Sequence, residues 1–360
     1  MGQPPARAVV TLRTPTALVA LERGDHLALA EAFLAGEIDV DGSLNEVMKV
    51  TEQLQLDASG FDRLQLGLRL LLRDRLAYDR ESIAFHYDRP VEFFLPWLDR
   101  WRCYSHGLYA FPEEPIDAAM ARKMQTAIDS LGLEPGMDVL DMGGGWGCFV
   151  EYAGLRGIRV HAITISEVQH RFVTDLIERL RLPCTSTLVH LHVYEPPQRF
   201  HGAVFMGTLE HVPEYDRVAS FLARHLAPQA RVWADFCAQR TDFTIGRFMK
   251  RYIWPGPITY VDPARLVRAL LRHGFNVHEL RDDTLSYACT VRDWGDALEA
   301  NGAALGCDFG EPAVRAFRLF LRGSLHFLTT DRTQAYHLVA GRGAASLPSG
   351  ATASAVTRGS

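Results

Sequence analysis

The run VLDMGGGWG, residues 139–147, constrains the fold of this chain more than any other feature. A short apolar strand ends at Asp141-Met142. Gly143, Gly145 and Gly147 then let the backbone turn into a following helix and approach a ligand closely. Such a loop at the carboxyl edge of a parallel sheet implies a nucleoside site. It departs from the dinucleotide fingerprint, which needs its third glycine one place later, where this chain has Cys148, and an acidic residue about 20 positions on. The second strand ends in Ala162-Ile163-Thr164-Ile165-Ser166, without an acid, so a dehydrogenase is disfavoured.

Downstream, short β-rich runs alternate with longer helical ones: DVLDM, a helix to Gly154, RVHAITI, a helix through Leu182, GAVFMG, a helix through Leu226, then RVWADFC. This alternation predicts an α/β domain with a parallel sheet and crossover helices on both faces. Residues 263–273 read as helix, NVHEL as strand and residues 313–327 as a last helix. Residues 1–85 read as a separate, mostly helical domain, because Leu27, Leu29, Ala30, Phe33 and Leu34 recur at helical spacing and residues 64–76 form a second helical stretch. Arg69, Arg73 and Arg75 on that stretch describe either a basic face for anionic lipid or a docked helix with its arginines in solvent. Residues 341–360, rich in Gly, Ala, Ser and Thr, are predicted to be a disordered tail.

With 360 residues, 48% of them hydrophobic, the chain can bury one catalytic core behind an N-terminal addition. A formal net charge of -5 argues against nucleic acid as a partner. Six cysteines without a C-x-x-C pair suggest neither a zinc ribbon nor a redox motif, so no metal is expected, and reduced thiols fit a cytoplasmic protein. No apolar run approaches the roughly 20 residues of a membrane span, so membrane contact would be peripheral, at the inner surface. A homo-oligomer is compatible with these bulk properties.

The D-x-G-x-G-x-G loop resembles the first motif of class I methyltransferases, and a wider resemblance surrounds it. FHYDRPVEFFLPWLDRWRCYSHGLY, from Phe85, resembles the segment preceding the core of cyclopropane-fatty-acid synthases and mycolic-acid methyltransferases. LGLEPGMDVLDMGGGWG, ITISEVQ, GTLEHV and SYACTVRDW continue it over residues 86–340, and AFLAGEIDVDGSL is similar to the N-terminal domain of longer members. The resemblance implies a Rossmann-like methyltransferase domain over residues 86–340 that uses S-adenosylmethionine. It also implies cofactor roles for Tyr104, Ser105, Asp141, Gly143, Gly145, Gly147, Thr164, Ser166 and Gln169. Where family members often place a Trp-Glu pair against adenine, this chain has Leu191-His192 or a neighbour.

By the same resemblance the substrate is an unsaturated lipid acyl chain or another apolar alkene. Methylating an isolated alkene creates a carbocation that an aromatic, apolar pocket must shield from water. Phe93, Phe94, Trp97, Tyr104 and Tyr109 could supply such a shield. A positioned base then takes a proton and decides between a cyclopropane and a methyl-branched product. In the family a bound bicarbonate is thought to be that base, held by five positions. Glu210 and Tyr287 are kept here, but the others are His106, Asp235 and Cys237. Asp235 beside Glu210 would repel an anion unless His106 is protonated. The expectation is therefore a protein-supplied base, either Asp235 or His106 paired with an acid. Two other readings stay open: a C-methyltransferase of an isoprenoid or polyketide alkene, and a non-catalytic lipid-binding relative.

Overall fold

The computed structural model describes residues 8–53, 90–239, 246–254 and 259–342. The predicted helix over residues 64–76 and all but the first two residues of the predicted tail lie outside these. The chain opens with β1 (Ala8–Leu12), α1 (Pro15–Glu22), α2 (His26–Leu34), β2 (Ile38–Gly42) and α3 (Leu44–Gln53). β1 and β2 pair antiparallel, an element the helical periodicity of this region did not announce. Thr14 and Asp25 cap the two helices, Asp25 accepting from the amides of Leu27 and Ala28 at 3.1 and 3.2 Å.

The short helix α4 (Val91–Phe94) and the long α5 (Ile116–Leu131) lead into the main sheet. Its strands and crossovers are β3 (Asp138–Met142), α6 (Cys148–Gly154), β4 (Arg159–Thr164), α7 (Glu167–Leu180), β5 (Thr185–Leu188), β6 (Phe200–Met206), α8 (Tyr215–His225) and β7 (Leu226–Gln239). After α9 (Pro263–Arg272) and β8 (Phe275–Asp282) come α10 (Thr284–Ala300), α11 (Gly302–Phe309), α12 (Glu311–Thr329) and β9 (Thr333–Arg342). The seven strands lie in the order β5-β4-β3-β6-β7-β9-β8. β3 to β7 are parallel, and β9 inserts antiparallel between β7 and β8.

Parallel strands buried on both faces are near-continuously apolar, and β3 is buried throughout. One face of the sheet packs Met120, Met124, Phe149, Val173, Trp294 and Phe317 from α5, α6, α7, α10 and α12. The other packs Tyr215, Phe221, Leu222, Leu266 and Leu270 from α8 and α9. Buried Arg315 of α12 ties the N-terminal elements to the first face. Its guanidinium donates to the carbonyls of Phe33 and Ile38 at 2.5 and 2.6 Å and lies 4.2 Å over the Phe33 ring. Reversal of strand order at β3 and β6 opens a crevice at their carboxyl ends, where a doubly wound sheet binds its ligand.

Candidate active site

The glycine loop sits in that crevice. Gly143 and Gly144 donate to the carbonyl of Ile163 at 2.9 and 3.1 Å, drawing the loop against the end of β4. Three of its four glycines divide between packing and openness. A Cβ at Gly143 would meet Thr208 Oγ1 at 2.6 Å, and one at Gly147 would meet Leu176 Cδ2 at 2.9 Å. Both therefore serve close packing. A Cβ at Gly145, whose φ is +51°, would meet only the Gly143 carbonyl at 3.8 Å, so this is the open position of the cradle.

Asp141 ends β3 beneath the loop. Burial pushes its pKa up to about 7, the charges of Cys103 and Asp235 add to that, and Lys123 alone opposes. A buried carboxylate held in this way gains from a cationic ligand, and the methionine end of S-adenosylmethionine carries a sulfonium and an ammonium. The open glycine and the under-compensated carboxylate thus fit this cofactor.

Thr164, Ser166 and Gln169 form one local unit. Ser166 caps α7 by accepting from the Gln169 amide at 3.3 Å, while Thr164 Oγ1 accepts from the Ser166 amide at 3.2 Å and donates to Gln169 Oε1 at 2.9 Å. The run therefore builds the start of α7 as well as facing the crevice. Leu191–Val193 form a single helical turn, with His190 accepting from the His192 amide at 3.1 Å.

The Tyr104 ring packs against Phe94, Trp97 and Trp294 with centroids 5.8, 5.7 and 5.4 Å away. Trp294 in turn meets the edge of Tyr287 at 6.4 Å, so a continuous aromatic wall runs from Phe94 to Tyr287. Ser105 Oγ accepts from Lys123 Nζ at 2.6 Å.

Glu210 lies in a single turn, Leu209–His211, just after β6. Its Oε1 accepts from the Cys237 amide at 2.6 Å, whereas Oε2 is buried with no hydrogen bond among the described residues. Burial pushes its pKa up to about 7 against the hydrogen bond from Cys237. Tyr287 hydrogen-bonds Cys237, and burial first, then the charges of Cys237 and Glu210, hold its hydroxyl well above the ordinary range. His106 lies with its ring centroid 5.1 Å from that of Tyr287. Glu210, Cys237, Tyr287 and His106 therefore form one continuous lining.

Asp235, expected to repel an anion or to act as a base, meets a buried lysine. It is fully buried on β7, and Lys123 Nζ of α5, also fully buried, stands 3.5 Å away. Neither carboxylate oxygen accepts a hydrogen bond among the described residues. Burial lowers the Lys123 pKa, but the charges of Asp235, Cys103 and Cys148 and the hydrogen bond to Cys103 together outweigh it, and the ammonium stays above its ordinary value. Lys123 thus offsets the charge of Asp235, which still raises the pKa of Asp141 and Glu210.

Three site residues escaped the sequence reading: Lys123, Asp283 and His337. Lys123 carried a legible signal, since it falls on the buried stripe of α5 with Met120, Met124 and Ala127. Asp283, at the end of β8, faces His106 Nε2 at 3.2 Å and contacts His337 Nδ1 more closely. All six cysteines are free, and no cluster of His, Cys, Asp or Glu among the described residues is arranged to hold a metal ion. No helix among them is long and apolar enough to cross a membrane.

A seven-stranded sheet with this order, a glycine loop after its first parallel strand and acids at the crevice define the class I methyltransferase fold. The fold is shared with solved structures. A cyclopropane synthase from Mycobacterium tuberculosis aligns with TM-score 0.68 at 20% identity over 73% of this chain and 98% of its own. A coclaurine N-methyltransferase aligns with TM-score 0.69 at 16% identity over 89% and 99%.

The family model for mycolic acid cyclopropane synthetase matches residues 74–338, and the chain belongs to that family of S-adenosylmethionine-dependent methyltransferases. A probable fatty acid methyltransferase of Pseudomonas putida is 25% identical over 334 residues, 89% of this chain and 83% of its own length. A cyclopropane mycolic acid synthase of Mycobacterium bovis is 38% identical over 271 residues, 68% of this chain and 88% of its own. The cyclopropane-fatty-acyl-phospholipid synthase of Escherichia coli K12 is 24% identical over 348 residues, 94% and 89%.

Proposed function

We propose that this enzyme transfers a methyl carbon to the C=C bond of an unsaturated lipid acyl chain, through a carbocation, giving a cyclopropane or a methyl branch. The observation that carries this reading is the buried Oε2 of Glu210, left without a hydrogen bond at the open edge of the sheet. An alkene needs no deprotonation before attack, so the pocket's task is to stabilise positive charge, and a desolvated carboxylate oxygen does this in a low-dielectric site. The wall formed by Phe94, Trp97, Tyr104 and Trp294 excludes water and offers ring faces. The names of the relatives, which refer to fatty acids, phospholipids and mycolic acids, support an acyl lipid.

Asp141 and the open position at Gly145 would hold S-adenosylmethionine, with Tyr104, Ser105, Thr164, Ser166 and Gln169 around it. Bound there, the cofactor supplies an electrophilic methyl group. The Cys237 amide holds Oε1 of Glu210, and in this reading Oε2 is the oxygen turned to the reacting carbons. In this reading residues 1–85 form a unit that presents the lipid to the catalytic domain at a membrane surface. Arg315 would be its anchor.

The test is to express the protein in a host rich in monounsaturated phospholipids, feed methionine with a fully deuterated methyl group and analyse the fatty acids by mass spectrometry. A labelled chain one carbon heavier supports the reading. Loss of one deuterium marks a ring or an exomethylene, and full retention marks a branch. If no lipid carries label, the acyl-chain reading fails and a small soluble alkene takes its place.

A further inference from the structure

We infer that His106, held by Asp283 and His337, is the proton-accepting base of this site, so that the chain carries in its own side chains the group that a bound anion would otherwise supply. The inference rests on alkene methylation and goes beyond it by naming the base and its positioning residues.

Asp283 is the first clue. It stands at the N-cap position of α10, where an aspartate ordinarily accepts from the first helical amides, yet its side chain makes no such bond. It turns inward and is buried, with Oδ2 facing both His106 Nε2, at 3.2 Å, and His337 Nδ1. Burial raises its pKa, but the hydrogen bonds and charges of the two histidines outweigh that and hold it at about 2. The carboxylate is therefore a fixed negative charge behind His106. A base whose second nitrogen donates to a buried carboxylate is held in one tautomer, and the imidazolium it forms is stabilised.

His106 Nε2 is committed to Asp283, so Nδ1 is the nitrogen left to take a proton. The ring is buried beside Tyr287, and the ionisable groups around it are Asp283, Tyr287 and, beyond Tyr287, Cys237 and Glu210. His337 completes the device from β9. Its ring stacks on Trp233 at 4.4 Å, lies across the ladder from Asp235, and brings Nε2 within 3.5 Å of Glu279. The amide of Asp283 donates to the carbonyl of Ala335 at 2.8 Å, which fixes β9 to the start of α10.

The proton step then balances. A C–H bond of the cationic intermediate breaks, and its electron pair closes the ring or forms a double bond. The proton bonds to Nδ1 of His106, and the resulting imidazolium is countered by Asp283. His337 touches no reacting atom and acts as a positioning residue through Asp283.

The test compares the wild type with His106→Gln, Asp283→Asn and His337→Gln, following label transfer into the acyl chain with and without bicarbonate. The expected result is wild-type turnover unchanged within about 2-fold by bicarbonate, and a fall in kcat of about 100-fold in H106Q with an unchanged KM for S-adenosylmethionine. D283N should lose about 10-fold in kcat, because the imidazolium loses its counter-charge. H337Q should lose less, since its amide still donates to Asp283. Bicarbonate-dependent turnover, or a folded H106Q within about 3-fold of wild type, overturns the assignment while leaving alkene methylation standing. A wild type that labels no lipid sinks that reading instead. Nitrogen NMR of the ligand-free protein then decides the device alone: His106 must carry its proton on Nε2, and D283N must lose that tautomer preference.

Discussion

Asp235 and Asp283 are both buried carboxylates at the carboxyl edge of one sheet, and they meet different partners. Asp235 faces a lysine fully sealed from solvent, and Asp283 faces two histidines. A lysine held above its ordinary pKa does not exchange its proton near neutrality, so the first pair sets a constant charge balance behind the cofactor side. Imidazole gains and loses protons in that range, so the second pair suits proton transfer. In the proposed mechanism the same chemical group thus serves architecture in one place and reactivity in the other, according to the side chain opposite.

The comparison breaks most visibly at Lys123. Lys123→Met leaves Asp235 buried without a counter-charge and should cost about 3–5 kcal/mol in denaturant unfolding. Adding Asp235→Leu should recover most of it. If K123M alone unfolds like wild type, the pair is not the neutralising element described here.

Glu210 lies between the two regions and meets no cation among the described residues. Its folded pKa, about 7 against an ordinary 4.5, means that the folded chain holds a proton the unfolded chain releases. Its contribution is therefore present below about pH 4.5 and is lost as pH rises through about 7. Glu210→Gln should raise stability at pH 8 by up to about 3 kcal/mol while lowering turnover about 100-fold. Equal stability of the two proteins at pH 8 would show that Glu210 is not desolvated.

Asp283 has the opposite sign. Its folded pKa, about 2 against 3.8, contributes about 2 kcal/mol that is present above pH 4 and lost as pH falls through 2. Acid unfolding of Asp283→Asn should lack this component, and retention of the wild-type acid slope would remove the histidines from the account.

The smallest effect sharpens the cofactor side. Gly145→Ala, with φ +51° and open space, should cost about 1 kcal/mol in stability yet weaken S-adenosylmethionine binding measured by calorimetry. Gly147→Ala should do the reverse, because its Cβ would press on Leu176.

Much of the fold was legible because it is local. The apolar runs at residues 138–142 and 200–206 and the turn glycines announce β3, β6 and the crevice without reference to distant residues. β9 was harder to see, because its pairing with β7 and β8 depends on strands far away in sequence, and α10 and α11 lay hidden between the elements that were read. The candidate site divides in the same way. Asp141, Glu210 and Tyr287 stand in motifs with local spacing, and the structure places Glu210 and Tyr287 along one lining.

The sequence by itself determined the nucleotide-binding sheet, the methyltransferase family and the departure at His106, Asp235 and Cys237, since each is written in short contiguous runs. Only the tertiary structure decided what those departures mean. Charge compensation depends on distances of 3 to 4 Å between residues more than a hundred positions apart, such as Lys123 to Asp235 and His106 to Asp283. No local pattern encodes those distances, and they determine which carboxylate meets a lysine and which meets histidines.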